Sequence, residues 1–177
     1  MEDIVTVIRT LNEMERDGAI ERYAIGGAVA AAFYLEPADT VDVDVFVPVS
    51  APSGSLVVTL DQLAQYLTRT GHEMKNEYFI IGGWPVQFLP SSPGLIEDAI
   101  AEAEELDLGE ITARVFRPIH LAAIALQTGR SKDKLRVVQF REAGFLAPEV
   151  FEPFLSRYGL LDRWKAFMQQ FPADENA

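Results

Sequence analysis

Apolar and polar residues alternate along the chain in two different rhythms. Glu2 to Asp17 places Ile4, Val5, Ile8, Leu11 and Met14 at helical spacing, with Gly18 as a stop. Ala19 to Ile25 reads as a first strand, and its last part, Arg22 to Ile25, runs into Gly26-Gly27. Ala28 to Leu35 reads as a short, nearly all-apolar helix whose four alanines allow close packing. Val41 to Val47 changes to a period of two. That period puts Val41, Val43, Val45 and Val47 on one face and Asp42, Asp44 and Phe46 on the other.

The same reading continues down the chain. Pro48 to Ser55 is a loop rich in proline and serine. Val57 to Thr70 is helical, with Leu60, Leu63, Ala64 and Leu67 on one face and Gly71 after it. Glu73 to Ile81 is a strand, Gly82-Gly83 a tight turn, and Trp84 to Leu89 the returning strand of a hairpin. Pro90 to Pro93 turns the chain. Gly94 to Leu106 has helical spacing, with four acids on its outer side, and Ile111 to Phe116 is a fifth strand. Helices alone follow: Ile119 to Gln127 behind Pro118, Lys132 to Glu142 with Ser131 as N-cap, Pro148 to about Arg157, and Leu160 to Phe171. Pro172 to Ala177 is an acidic tail. The pattern predicts an α/β (α+β) fold. A mixed sheet of about five strands is flanked by helices in a domain over 1–143, and a helical extension over 144–177 packs on it.

Composition narrows the function. A chain of 177 residues with 49% hydrophobic residues can bury a core of its own. It has no cysteine, which leaves out disulfides and thiolate metal sites. His72 and His120 are too far apart for a zinc motif. No apolar run approaches a membrane span and the start has no signal-peptide pattern, so the reading is a cytoplasmic protein without a membrane partner. The net charge of −12 disfavours non-specific nucleic-acid binding, whereas a nucleotide carrying Mg²⁺ brings its own positive charge.

Two stretches carry candidate chemistry. Asp42 and Asp44 project from one side of a strand, with Cα atoms roughly 6.5–7 Å apart. Their carboxylates can converge on a hard cation, Mg²⁺ or Mn²⁺, whose remaining ligands are substrate phosphates. Gly26-Gly27, between a strand and a helix, offers bare backbone to a phosphate. Further along, Arg130, Lys132, Lys134 and Arg136 crowd the start of a helix, where cations oppose the macrodipole and an anion nearby would explain them. A solvated turn with Asp133 offsetting the helix end is the structural alternative.

The order G-G, some fifteen residues, then T-x-D-x-D resembles motif one of the polymerase-β-like nucleotidyltransferase superfamily, with the minimal and AbiEii-type members nearest in look. H-L-x-x-x-x-L-x-x-G-R-x-K-D, from His120 to Asp133, resembles the late motif of AbiEii-type members. The likeness spans roughly residues 20 to 140. It implies that Gly26, Gly27 and Thr40 take part in holding a nucleoside triphosphate, that Asp42 and Asp44 hold the divalent metal, and that Arg130 and Lys132 contact phosphates. Asp42, Asp44 and Lys132 are then the catalytic candidates. The chain departs from the family at Ala28, where Ser or His is frequent, and in the loop Glu36 to Asp39, which lacks the usual Arg. Gln87 occupies the position at which active members carry a third acid, and glutamine is a poor general base. Two functions follow from the resemblance. One is transfer of a nucleotidyl group to an acceptor (RNA, protein or small molecule), toxin-like and with an antitoxin-like partner. The other is a weakened or inactive module that binds nucleotide or a partner protein.

Overall fold

The computed structural model describes residues 2–37, 39–48 and 56–172. Most of the predicted loop Pro48–Ser55, and the tail beyond Pro172, lie outside them. The chain forms two compact units, Met1–Arg117 and Pro118–Ala177, and each is taken by itself.

The first unit begins with α1 (Glu2–Arg16), which buries Val7, Ile8, Leu11 and Met14 at helical spacing. Then come β1 (Ala24–Ile25), α2 (Gly27–Ala31), β2 (Val43–Val47), α3 (Leu56–Arg69), β3 (Glu73–Lys75), β4 (Tyr78–Ile81), β5 (Trp84–Pro90), α4 (Leu95–Ala101), β6 (Glu104–Asp107) and β7 (Thr112–Val115). The strands make one mixed sheet in the order β3-β4-β5-β2-β1-β7-β6. β2 lies parallel to β5, and β1 parallel to β7, while the other neighbours are antiparallel. One face is apolar. Val43, Val45, Val86, Phe79 and Ile81 are buried on it, and α1 packs against β4 and β5.

The sheet has seven strands rather than about five, for two local reasons. Asn76 adopts φ +56 and, with Glu77, turns the chain back between Lys75 and Tyr78, so the predicted strand Glu73–Ile81 is a hairpin. Asparagine tolerates this left-handed conformation. The predicted helix Gly94–Leu106 stops at Ala101, and Glu104–Asp107 pairs with β7 from Glu104↔Val115 to Asp107↔Thr112. Glutamate favours helix by local propensity, but an edge strand needs little buried side-chain surface, and ladder pairing prevails. Val41 is a further departure. It precedes β2 and is 81% exposed, so three of the four valines make the buried face.

The second unit holds α5 (Pro118–Thr128), α6 (Ser131–Glu142), α7 (Pro148–Arg157) and α8 (Leu161–Gln170). Phe151 and Trp164 meet edge to face at 5.0 Å in its core, with Val137, Phe140, Leu155 and Phe167 also buried. His120 is buried edge-on to Phe154, as expected of a packing histidine. The N-cap of α6 is Arg130 rather than Ser131.

One polar assembly ties α1 to the β6–β7 hairpin. Arg114 Nη1 donates to both carboxylate oxygens of Glu15 at 2.7 and 2.9 Å, and Nη2 donates to Glu105 at 2.8 Å. The guanidinium also lies over the buried Tyr23 ring, whose hydroxyl donates to Asn12 at 2.6 Å. Arg114→Ala leaves Glu15 partly buried without its partner. The expected loss of unfolding free energy is about 1–3 kcal/mol, read by urea denaturation. Arg114→Lys should recover only part of it, because the two-pronged contact is lost.

Candidate functional site

β1 ends where the glycines begin, and the β1–β2 register decides what they face. Ala24 pairs with Phe46 and Ile25 with Val45, so Gly26 arrives beside Asp44 and its N–H donates to the Asp44 carbonyl at 2.9 Å. Gly27 takes φ +61, a conformation that favours glycine. A Cβ at Gly27 would overlap the Asp44 carboxylate. A Cβ at Gly26 would come within 2.5 Å of the Phe46 ring, which leans on Phe116 with centroids 4.8 Å apart. The missing side chains therefore make room first for Asp44 and Phe46.

β2 supplies the acids. Val43 and Val45 face the core, and Asp42, Asp44 and Phe46 are half-buried between and beside them. Asp42 directly precedes the strand, and the Thr40 hydroxyl donates to its backbone carbonyl at 3.1 Å and lies 3.4 Å from its Oδ1. β5 supplies the neighbour. The parallel ladder sets Asp44 opposite Gln87, so the two side chains share a face. Gly26, Gly27, Thr40, Asp42, Asp44 and Gln87 thus come together in the sheet unit, although they span 62 positions of sequence.

Sequence reasoning missed Tyr78. The β4–β5 ladder pairs Phe79 with Val86, so one step further Tyr78 stands next to Gln87 on the Asp44 side. Burial raises its phenol pKa, and the nearby carboxylates of Glu77, Asp42 and Asp44 raise it further. No local signal marks this tyrosine, because its placement depends on two ladders at once. Glu77 sits exposed in the β3–β4 turn rather than on a strand facing the acids.

Arg130, Lys132 and Asp133 belong to the helical unit. Asp133 is buried. It accepts from the Arg130 Nε at 2.7 Å and from the Arg130 backbone N–H at 3.3 Å, closing the first turn of α6. Lys132 is exposed on the same turn.

The residues fit one hard cation better than two. Among the described residues, no group of three or more His, Cys, Asp or Glu side chains could enclose a metal. Two carboxylates and the Gln87 carbonyl, with one oxygen each, would leave about half of an octahedral Mg²⁺ sphere to phosphates and water. A separate cleft of about 560 Å³, between α1 and the β6–β7 hairpin, contains none of these residues, and Arg114, Tyr23 and Asn12 line it.

No protein-family model matches the sequence, and no curated protein matches it significantly. Solved structures do. An antigenic nucleotidyltransferase-like protein from Paracoccidioides brasiliensis is similar over 97% of this chain and 89% of its own, with a TM-score of 0.68 and 17% identity. ANT(2'')-Ia, in complex with adenylyl-2''-tobramycin, is similar over 94% of this chain and 98% of its own, with a TM-score of 0.53 and 15% identity. At these identities the likeness is one of fold. The chain has a nucleotidyltransferase-like fold, and the AbiEii-type branch is not singled out.

The glycine turn gives a direct test. Gly27→Ala should destabilise by more than the roughly 1–2 kcal/mol of left-handed backbone strain, because the Asp44 carboxylate must also move. Gly83→Ala, at φ +83 with nothing within 4 Å, should show the strain alone. Equal losses in chemical denaturation would remove the packing of Asp44 on Gly27 from the account.

Proposed function

We propose that the protein transfers a nucleotidyl group from a Mg²⁺-bound nucleoside triphosphate to a hydroxyl acceptor. The observation that carries this reading is the seating of Asp44 against the Gly26–Gly27 turn, with Asp42 two residues away and Gln87 alongside. Asp42 and Asp44 hold the ion, and the Gln87 carbonyl adds an uncharged ligand. Bound there, Mg²⁺ offsets phosphate charge and polarises the α-phosphate. In the transfer, the acceptor oxygen bonds to the α-phosphorus. The bond from that phosphorus to the α–β bridging oxygen breaks, pyrophosphate leaves, and the hydroxyl proton passes to water. Thr40 keeps Asp42 oriented through its backbone and carboxylate contacts.

Phosphate contacts by Arg130 and Lys132, and a role of Lys132 in catalysis, belong to this reading on the strength of the late motif. So do the AbiEii-type, toxin-like form with an antitoxin-like partner, Mn²⁺ as a substitute ion and a cytoplasmic setting. Among the described residues no helix is long and apolar enough to cross a membrane.

Gln87 favours a second reading, in which the site binds Mg²⁺-nucleotide without turning it over. An amide in register with Asp44 neither takes a proton nor adds charge for a second ion.

Thermal shifts with ATP, GTP, CTP and UTP, each with and without Mg²⁺, test both readings. At least one nucleotide should stabilise the protein only with Mg²⁺, by about 3 kcal/mol near 100 times its Kd. Asp42→Asn combined with Asp44→Asn should abolish that shift. No stabilisation by any nucleotide would sink both readings. Pyrophosphate release then separates them. Gln87→Asp, which adds the missing base and ligand, should raise release by about 10²-fold or more. Release at the wild-type rate or lower would show that Gln87 is not what limits the site.

A further inference from the structure

The side of the sheet that bears Asp42 and Asp44 continues across β5 and β4 as an ordered grid. Asp44, Gln87, Tyr78 and Lys75 follow one another on four adjacent strands. The neighbouring rung runs from Asp42 through Pro85 and Ile80 to Glu73, since Val43 pairs with Val86, Ile80 with Pro85 and Glu73 with Ile80. Gln87, Tyr78, Pro85 and Ile80 are all half-buried. They form a small patch with two apolar residues, an aromatic ring, an amide and a phenol. Strands lie about 4.8 Å apart and alternate residues about 6.5–7 Å apart, so the patch has roughly the footprint of one six-membered ring.

Tyr78 gives the patch its donor. A tyrosine presents an apolar ring face and one polar tip. Among the described residues, no side-chain hydrogen bond, ion pair or ring contact engages the Tyr78 side chain, and the carboxylates of Glu77, Asp42 and Asp44 lie near it. Its ring face and its O–H donor are both left for a ligand.

Geometry says which ligand would sit there. In an in-line displacement the attacking and leaving oxygens lie on opposite sides of the phosphorus. If the leaving pyrophosphate lies on the glycine side of Asp44, the attacking oxygen comes from the β5–β4 side, where Gln87 and Tyr78 stand. Charge narrows the class. Asp42, Asp44, Glu73 and Glu77 border the patch, and Lys75, the cation that the strand grid itself supplies, lies 3.4 Å from Glu73. Such a border repels a phosphorylated acceptor.

We propose that Tyr78, Ile80, Pro85 and Gln87 form an acceptor shelf for an unphosphorylated, polyhydroxylated ring compound. The ring's C–H face lies on Tyr78 and Ile80, and its hydroxyls meet the Tyr78 phenol and the Gln87 amide. Tyr78 acts here as a positioning residue. The shelf rests on the nucleotidyl-transfer reading for its role as an acceptor site, and on its own residues for binding.

Saturation-transfer NMR tests it, with methyl α-glucoside and glucose 6-phosphate as probes. The full chain is used with Mg²⁺ and α,β-methylene-ATP, which permits no transfer. Methyl α-glucoside should receive saturation from the wild-type protein and glucose 6-phosphate should not. Tyr78→Ala should weaken the glucoside signal about fivefold and Tyr78→Phe by less, since the ring remains. Gln87→Ala, on the adjacent strand, should weaken it as well. A thermal melt of each variant records that it folds. Nucleotide-dependent stabilisation without glucoside saturation would overturn the shelf and leave the transfer reading standing. Tyr78-dependent saturation without nucleotide stabilisation would keep the shelf and remove the transfer reading. Equal saturation in Tyr78→Ala, or by glucose 6-phosphate, would also overturn the shelf.

Discussion

The antiparallel pairing of β1 with β2 governs the candidate site. It sets the Gly26 N–H on the Asp44 carbonyl and thereby brings Gly27 under the Asp44 carboxylate. Once that register is fixed, neither glycine position has space for a Cβ. β2 is also held on its other side by β5, so Asp44 rides on a strand with a ladder along each edge. A functional side chain carried this way has its backbone fixed before any ligand arrives, which is what a site of defined geometry requires.

The charge arrangement has a consistent logic. Asp44 on β2 and Asp42 just before it bring two carboxylates close together, and the position in register with Asp44 is an amide. A third acid there would add repulsion in the absence of metal and ligation in its presence. Glutamine lowers both, so on the proposed reading an ion there would draw more of its ligands from phosphate oxygens. In the helical unit much of the positive charge serves helix ends. Arg130 is bound to buried Asp133 at the start of α6, and Arg163 donates to the Gln127 carbonyl near the end of α5. Arg141 donates to the carbonyls of Phe171 and Pro172, just beyond α8. Lys132 remains exposed.

Local signals were legible where the structure obeys local rules. The four C-terminal helices begin and end within a residue or two of expectation, because Pro118, Gly129, Gly144 and Pro148 set starts and stops through φ and the missing proline N–H. The alternation of Val43, Val45 and Val47 was legible for the same reason, as it needs no partner. Errors fell where a partner decides. Glu104–Asp107 has helical composition and becomes a strand because β7 offers it a ladder. Val41 carries the alternation one residue too far and lies in solvent. Ser131 has the chemistry of an N-cap, but the capping geometry falls on Arg130 and its buried partner Asp133.

The amino-acid sequence alone determined the glycine pair, the two acids spaced two residues apart, the apolar faces that make the core, and the helical end of the chain. Each of these depends on backbone preference and spacing over a few residues. Only the tertiary structure decided that Gln87 stands beside Asp44, that Tyr78 stands beside Gln87, and that Asp44 fills the space a Cβ at Gly27 would take. Strand order and register bring together residues tens of positions apart, and hydrophobic alternation specifies which face a residue occupies without specifying its neighbour.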